Sequence, residues 1–111
     1  MLVLNRFVVS PGTQDGFVLE AHAALAALAE RPGYVSGRLT RALDDPAHWT
    51  LVTEWESVGA YRRALGGFDV KVRATPLLAR SVNEPSAFET LATAAPGGAI
   101  TVTASDRSLD V

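Results

Sequence analysis

The chain has 111 residues, 48% of them hydrophobic and 20% charged, with a formal net charge of -2; that fits one folded domain rather than a disordered chain. No basic surplus is present to track phosphates, which argues against nucleic acid, and the absence of cysteine removes disulfides, iron–sulfur clusters, thiolate zinc sites and cysteine nucleophiles together. The opening MLVLNRFVVSPG lacks a basic leader and meets Arg6 early, and no apolar run reaches the ~18 residues that span a bilayer, so a cytoplasmic protein without a membrane contact is expected.

Residues 2 to 9, LVLNRFVV, read as a first strand closed by Ser10-Pro11-Gly12. Alternation puts Val3, Asn5, Phe7 and Val9 on one face and Leu2, Leu4, Arg6 and Val8 on the other. Thr13 can cap a first helix, on which Phe17, Ala21, Ala24, Leu25 and Leu28 recur at helical spacing until Pro32-Gly33 stops it. Residues 34 to 43 read as a second strand and residues 48 to 56 as a third. The turn DDPA between them makes the pair an antiparallel hairpin. On the third strand Trp49, Leu51, Thr53 and Trp55 share one face; His48, Thr50, Val52 and Glu54 share the other.

Ser57 is a natural N-cap for a second helix with Val58, Tyr61 and Leu65 on one side, and Gly66-Gly67 should break it. Residues 68 to 75 continue as a further helical piece, before Pro76 and the turn at Asn83-Glu84-Pro85. Residues 86 to 93 alternate as a fourth strand. The domain is expected over residues 1 to 95. Residues 96 to 111 form a Gly- and Ser-containing tail whose AITVTA offers an added edge strand.

Strand, helix, strand, strand, helix, strand is an α+β order, the split βαβ of a ferredoxin-like fold with an antiparallel sheet. Two helices cover one face of such a sheet, yet the first strand is apolar on both. Covering the second face with a second copy is the simplest solution, so a homodimer with facing sheets is expected.

Asn5 stands mid-strand among apolar neighbours, where an unpartnered buried amide costs about 1–3 kcal/mol. It is either a donor aimed at a ligand oxyanion or an amide satisfied by nearby backbone. Trp55, where the third strand ends, is either a pocket wall or core. Tyr61 is either a phenol in the same pocket or a half-buried core residue. Trp49 suits packing or the dimer interface. Arg62 and Arg63 suit a solvated helix face. His22 and His48 are the two histidines, and position 26, four after His22, is alanine, so no metal-ligand spacing arises. Neither a GxSxG elbow nor a GxGxxG or GxxxxGK[ST] loop occurs.

Asn5 on the first strand, RPGYVSGRL after the first helix and LVTEWES before the second resemble the antibiotic biosynthesis monooxygenase family of dimeric α+β barrels, over residues 2 to about 92. The resemblance implies an oxidoreductase that oxidises a planar aromatic or polyketide-like, anthrone-type compound with dioxygen and no cofactor. Asn5, Trp55 and Tyr61 match pocket positions of that branch and are its implied catalytic residues. Phe7, Phe17, His22, Leu65, Phe68 and Arg73 are the further candidates for substrate contact, and no metal is expected. A second branch binds and degrades haem through a His on the helix after the Trp, and here no His follows His48. A non-catalytic dimeric module for a small apolar ligand shares the same fold and stays open beside these readings.

Overall fold

A computed structural model describes residues 1–105 of the chain. The elements run β1 (Leu2–Val8), α1 (Gln14–Ala29), β2 (Tyr34–Arg41), β3 (His48–Trp55), α2 (Val58–Leu65), α3 (Phe68–Arg73), α4 (Thr75–Leu78), β4 (Ala87–Phe88), β5 (Ala92–Ala94) and β6 (Ile100–Val102). The main sheet is ordered β2-β3-β1-β4 and antiparallel throughout, which is the ferredoxin-like α+β arrangement.

Strand periodicity decides which face meets the helices. Val3, Asn5, Phe7, Trp49, Leu51, Thr53 and Trp55 are all buried on the helix side. Helix α1 lays Phe17, Ala21, Ala24, Ala27 and Leu28 against them. Trp49 therefore belongs to the internal packing: its ring meets Phe17 edge-on at 5.4 Å, and its indole N–H donates to Pro46 O at 3.0 Å. The opposite face of the sheet is open in the single chain, with Leu2 and Val8 exposed and Leu4 and Val52 half-buried among Arg6, Arg38 and Glu54.

Ser57 caps α2 as its sequence context suggests, accepting the Ala60 backbone N–H at 3.0 Å. Thr13 holds the cap position of α1, but its hydroxyl donates to Ser10 O at 2.8 Å and leaves the helix N–H groups alone. Pro76 does not end the helical run. It sits in the first turn of α4, where its missing N–H costs no helix bond.

The fourth strand is much shorter than residues 86 to 93. Ala87 and Phe88 alone pair with Val3 and Leu2, and the rest of the β1 edge is met by loop backbone, with Ser86 O accepting from Leu4 N and Val82 N donating to Arg6 O. The chain then turns through Pro96 and Gly97, whose φ is +67°, and pairs Ala92–Ala94 with Ile100–Val102. The AITVTA segment thus makes a separate two-stranded ribbon instead of extending the main sheet, because its own Pro-Gly turn brings a nearer partner. The final part of the tail, residues 106 to 111, lies outside the described residues.

Gly33 shows how tightly α2 is seated. Its φ is +89°, and a Cβ there would collide with Ala60 Cβ. We expect Gly33→Ala to destabilise the fold by about 1–2 kcal/mol from the backbone alone, plus the cost of displacing the first turn of α2. A denaturant melt checks this, and an unchanged midpoint would contradict it.

Candidate functional site

A cleft of about 640 Å³ lies between the sheet and the helices, lined by Asn5, Tyr61, Leu65, Lys71, Thr75, Leu78 and Ala79. Each element contributes through its own period. Asn5 comes from the inward face of β1. Tyr61 and Leu65 are one turn apart on α2, and Lys71, Thr75, Leu78 and Ala79 follow at helical spacing across α3 and α4. Leu65, Leu78 and Ala79 make the wall apolar.

Asn5 is 8% exposed and has no side-chain hydrogen bond among the described residues. The nearest inward neighbours on its own strand are Val3 and Phe7, and opposite it in the sheet is Leu51, so the amide meets apolar side chains there. Among the described residues only Arg31 Nε is a fully buried side-chain polar atom without a partner, so the Asn5 amide keeps contact with the open cleft and is available to a ligand oxygen there. The amide is the polar group that the fold places deepest in the cleft, since Lys71, Thr75 and Ala79 are exposed and mark its mouth.

Tyr61 is half-buried, and burial raises its phenol above the ordinary value of 10.0. The hydroxyl therefore stays protonated through neutral pH, as a donor, and has no protein partner among the described residues. Its ring lies against Trp55 at a centroid distance of 5.5 Å, and Tyr34 meets Trp55 edge-on at 5.4 Å.

Trp55 itself is 1% exposed and is not part of the cleft lining. Its indole N–H donates to Thr53 Oγ1 at 2.8 Å. The donor that would reach a ligand is thus occupied by the residue two positions earlier on the same strand face. Trp55 meets the cleft only through its contact with the Tyr61 ring.

The remaining sequence candidates are scattered. Leu65 is in the cleft. Phe7 and Phe17 pack together at 5.2 Å and line a second cavity of about 440 Å³ beside Ser10, Thr13, Glu20 and Arg80. His22 is exposed on α1, Phe68 is 79% exposed at the start of α3, and Arg73 is exposed; none of the three lines the cleft. His48 lies 3.2 Å from the Asp45 carboxylate in the hairpin turn, away from both cavities. Sequence reading did not single out Lys71, Thr75, Leu78 or Ala79. Their i, i+4, i+7 and i+8 spacing was the available signal, and Pro76 in its middle hid it. Among the described residues, no group of three or more His, Cys, Asp or Glu side chains is placed to hold a metal ion, and no helix is long and apolar enough to cross a membrane.

The family described as antibiotic biosynthesis monooxygenase matches residues 1–71. SnoaB from Streptomyces nogalater, described as a cofactor-independent oxygenase, is similar in structure with a TM-score of 0.63 and 24% identity; the match covers 99% of this chain and 96% of that one. A conserved protein from Methanosarcina mazei is similar with a TM-score of 0.64 and 17% identity, over 78% of this chain and 84% of that one. A protein from Nitrosomonas europaea assigned to the antibiotic biosynthesis monooxygenases gives a TM-score of 0.61 at 13% identity, over 76% and 87% of the two chains. No curated protein matches the chain in sequence.

Proposed function

We propose that this chain, which belongs to the antibiotic biosynthesis monooxygenase family, binds a planar aromatic or polyketide-like compound of the anthrone type in the Asn5–Tyr61 cleft and oxidises it with dioxygen, using no cofactor. The observation that carries the reading is Asn5, a largely buried side chain with no hydrogen-bond partner among the described residues, lining a cleft with apolar walls. An amide in that position is preorganised for an oxygen that gains negative charge.

The chemistry balances without a metal or flavin. A ring methylene loses one proton to solvent at the mouth of the cleft and becomes an enolate, whose oxygen takes the Asn5 N–H. The electron-rich carbanion centre passes one electron to dioxygen, and the two radicals combine into a carbon-bound peroxide. The Tyr61 phenol protonates the distal oxygen of the peroxide. Loss of the remaining C–H proton to solvent then leaves its electron pair to form the carbonyl as the O–O bond breaks; hydroxide departs, takes a proton from solvent to become water, and solvent returns a proton to Tyr61. One atom of dioxygen ends in the ketone and the other in water. Leu65, Leu78 and Ala79 hold the ring system and exclude water from the peroxide. Trp55 acts through Tyr61 as a positioning residue.

The description of SnoaB as a cofactor-independent oxygenase supports this reading by analogy. A haem reading has less support, since no imidazole lines the cleft. We also propose that the chain works as a homodimer, with a second copy covering Leu2, Leu4, Val8 and Val52 on the open sheet face.

A binding module without catalysis is the second reading, and one feature favours it: among the described residues no His, Asp or Glu lines the cleft to take the first proton. Oxygen consumption with a simple anthrone separates the two. The oxygenase reading expects uptake well above the spontaneous rate, with one quinone formed per dioxygen consumed. Uptake equal to that of buffer, with the anthrone bound, would leave the binding module standing in its place.

A further inference from the structure

We infer that Lys71 is the anion-pairing residue of the cleft, so that the site selects planar aromatic compounds which carry or acquire a negative charge. This rests on the reading of the cleft as a ligand site and deepens it.

Three observations carry the inference. Lys71 lines the cleft from the last turn of α3, together with the Asn5 amide and the Tyr61 phenol. Among the described residues no carboxylate lines the same space. And Lys71 has no ion-pair or hydrogen-bond partner among the described residues. A positive charge at the mouth of an apolar-walled cleft, with no anion of the protein beside it, attracts anionic ligands and repels cationic ones. The second cavity shows the contrast. There Arg80 is already paired with Glu20 at 2.7 Å, so its charge is neutralised within the protein. Lys71 also supplies what the other polar groups lack. Asn5 and Tyr61 are neutral donors, whereas an ammonium favours the enolate over its carbon acid and so promotes loss of the first proton without itself acting as a base. Beyond α3, the other polar side chains lining the cleft among the described residues are Asn5, Thr75 and Tyr61, none of them charged at neutral pH; on α3 itself Asp69 and Arg73 are exposed and outside the lining.

The bland alternative is a lysine whose methylenes cover the apolar wall while its ammonium sits in water. Fluorescence titration of the full chain with an anthracene carboxylate and its neutral hydroxymethyl analogue separates the two, using wild type, Lys71→Met and Lys71→Arg. The inference expects wild type to bind the carboxylate about two- to fivefold tighter than the alcohol, the range of an exposed charge pair. Added salt weakens that preference. Lys71→Met abolishes it without weakening the alcohol, and Lys71→Arg retains it. Equal affinity for both probes in wild type, or a preference that survives in Lys71→Met, overturns the inference while leaving the cleft a ligand site. Failure of both probes to bind overturns the reading of the cleft and the inference with it.

Discussion

Asn5→Ala lowers anthrone-dependent oxygen uptake by about 100-fold or more, the usual cost of removing one oxyanion donor, and does so without lowering the melting temperature. The two halves of that result come from one fact. The side chain is 8% exposed and has no hydrogen-bond partner among the described residues, so alanine breaks no hydrogen bond of the fold. Paired melting curves and oxygen-uptake rates on the same preparations check it. A variant that keeps wild-type uptake removes Asn5 from the reaction. A variant that loses stability and activity together shows instead that Asn5 holds the sheet.

Trp55→Ala has the opposite profile. It costs about 3–5 kcal/mol, as large-to-small changes of buried aromatics do, out of a total that for a domain of this size is about 5–15 kcal/mol. The indole is 1% exposed, meets the rings of Tyr34 and Tyr61, and satisfies Thr53 Oγ1. Its loss empties the space behind Tyr61 and leaves the Thr53 hydroxyl unpaired. Denaturant melts give the magnitude. Trp55→Phe is the informative companion, because it keeps most of the ring contact and removes the N–H. If Trp55 acts by positioning, Trp55→Phe destabilises by about 1–2 kcal/mol and changes ligand affinity little. A variant of full stability that no longer binds an aromatic ligand would make Trp55 a contact residue after all.

The contrast between these two residues shows what the sequence made legible. Asn5 stood out because strand alternation put an amide on a face otherwise apolar, Val3, Phe7 and Val9. A conflict between local chemistry and burial is visible in a string of letters. Tyr61 and Leu65 followed from one helical turn. The hairpin, the Ser57 cap and the Gly66-Gly67 break were likewise local, and each is in the structure. Trp55 was legible as buried, but not as spoken for, although Thr53 on the same strand face was the clue. His22 and Phe68 were harder, because the side of a helix that a residue faces depends on how that helix docks. A single exposed Phe68 at a helix start gives no sign of it. Lys71 and Thr75 were hidden by Pro76, which reads as a breaker but opens α4. The short β4 has a similar cause. Alternation over residues 86 to 93 fits a strand of the main sheet and a strand of a local ribbon equally well, and a Pro-Gly turn further along decides between them.

A crystal structure of the protein with an anthraquinone product is the decisive test of the Asn5–Tyr61 cleft as the seat of a planar aromatic ligand. The ring system is expected between Tyr61, Leu65 and Leu78, with a quinone oxygen within hydrogen-bonding distance of the Asn5 amide. A product seated against Phe7 and Phe17, or on the open face of the sheet, with the Asn5 amide facing an unfilled cleft, would contradict it.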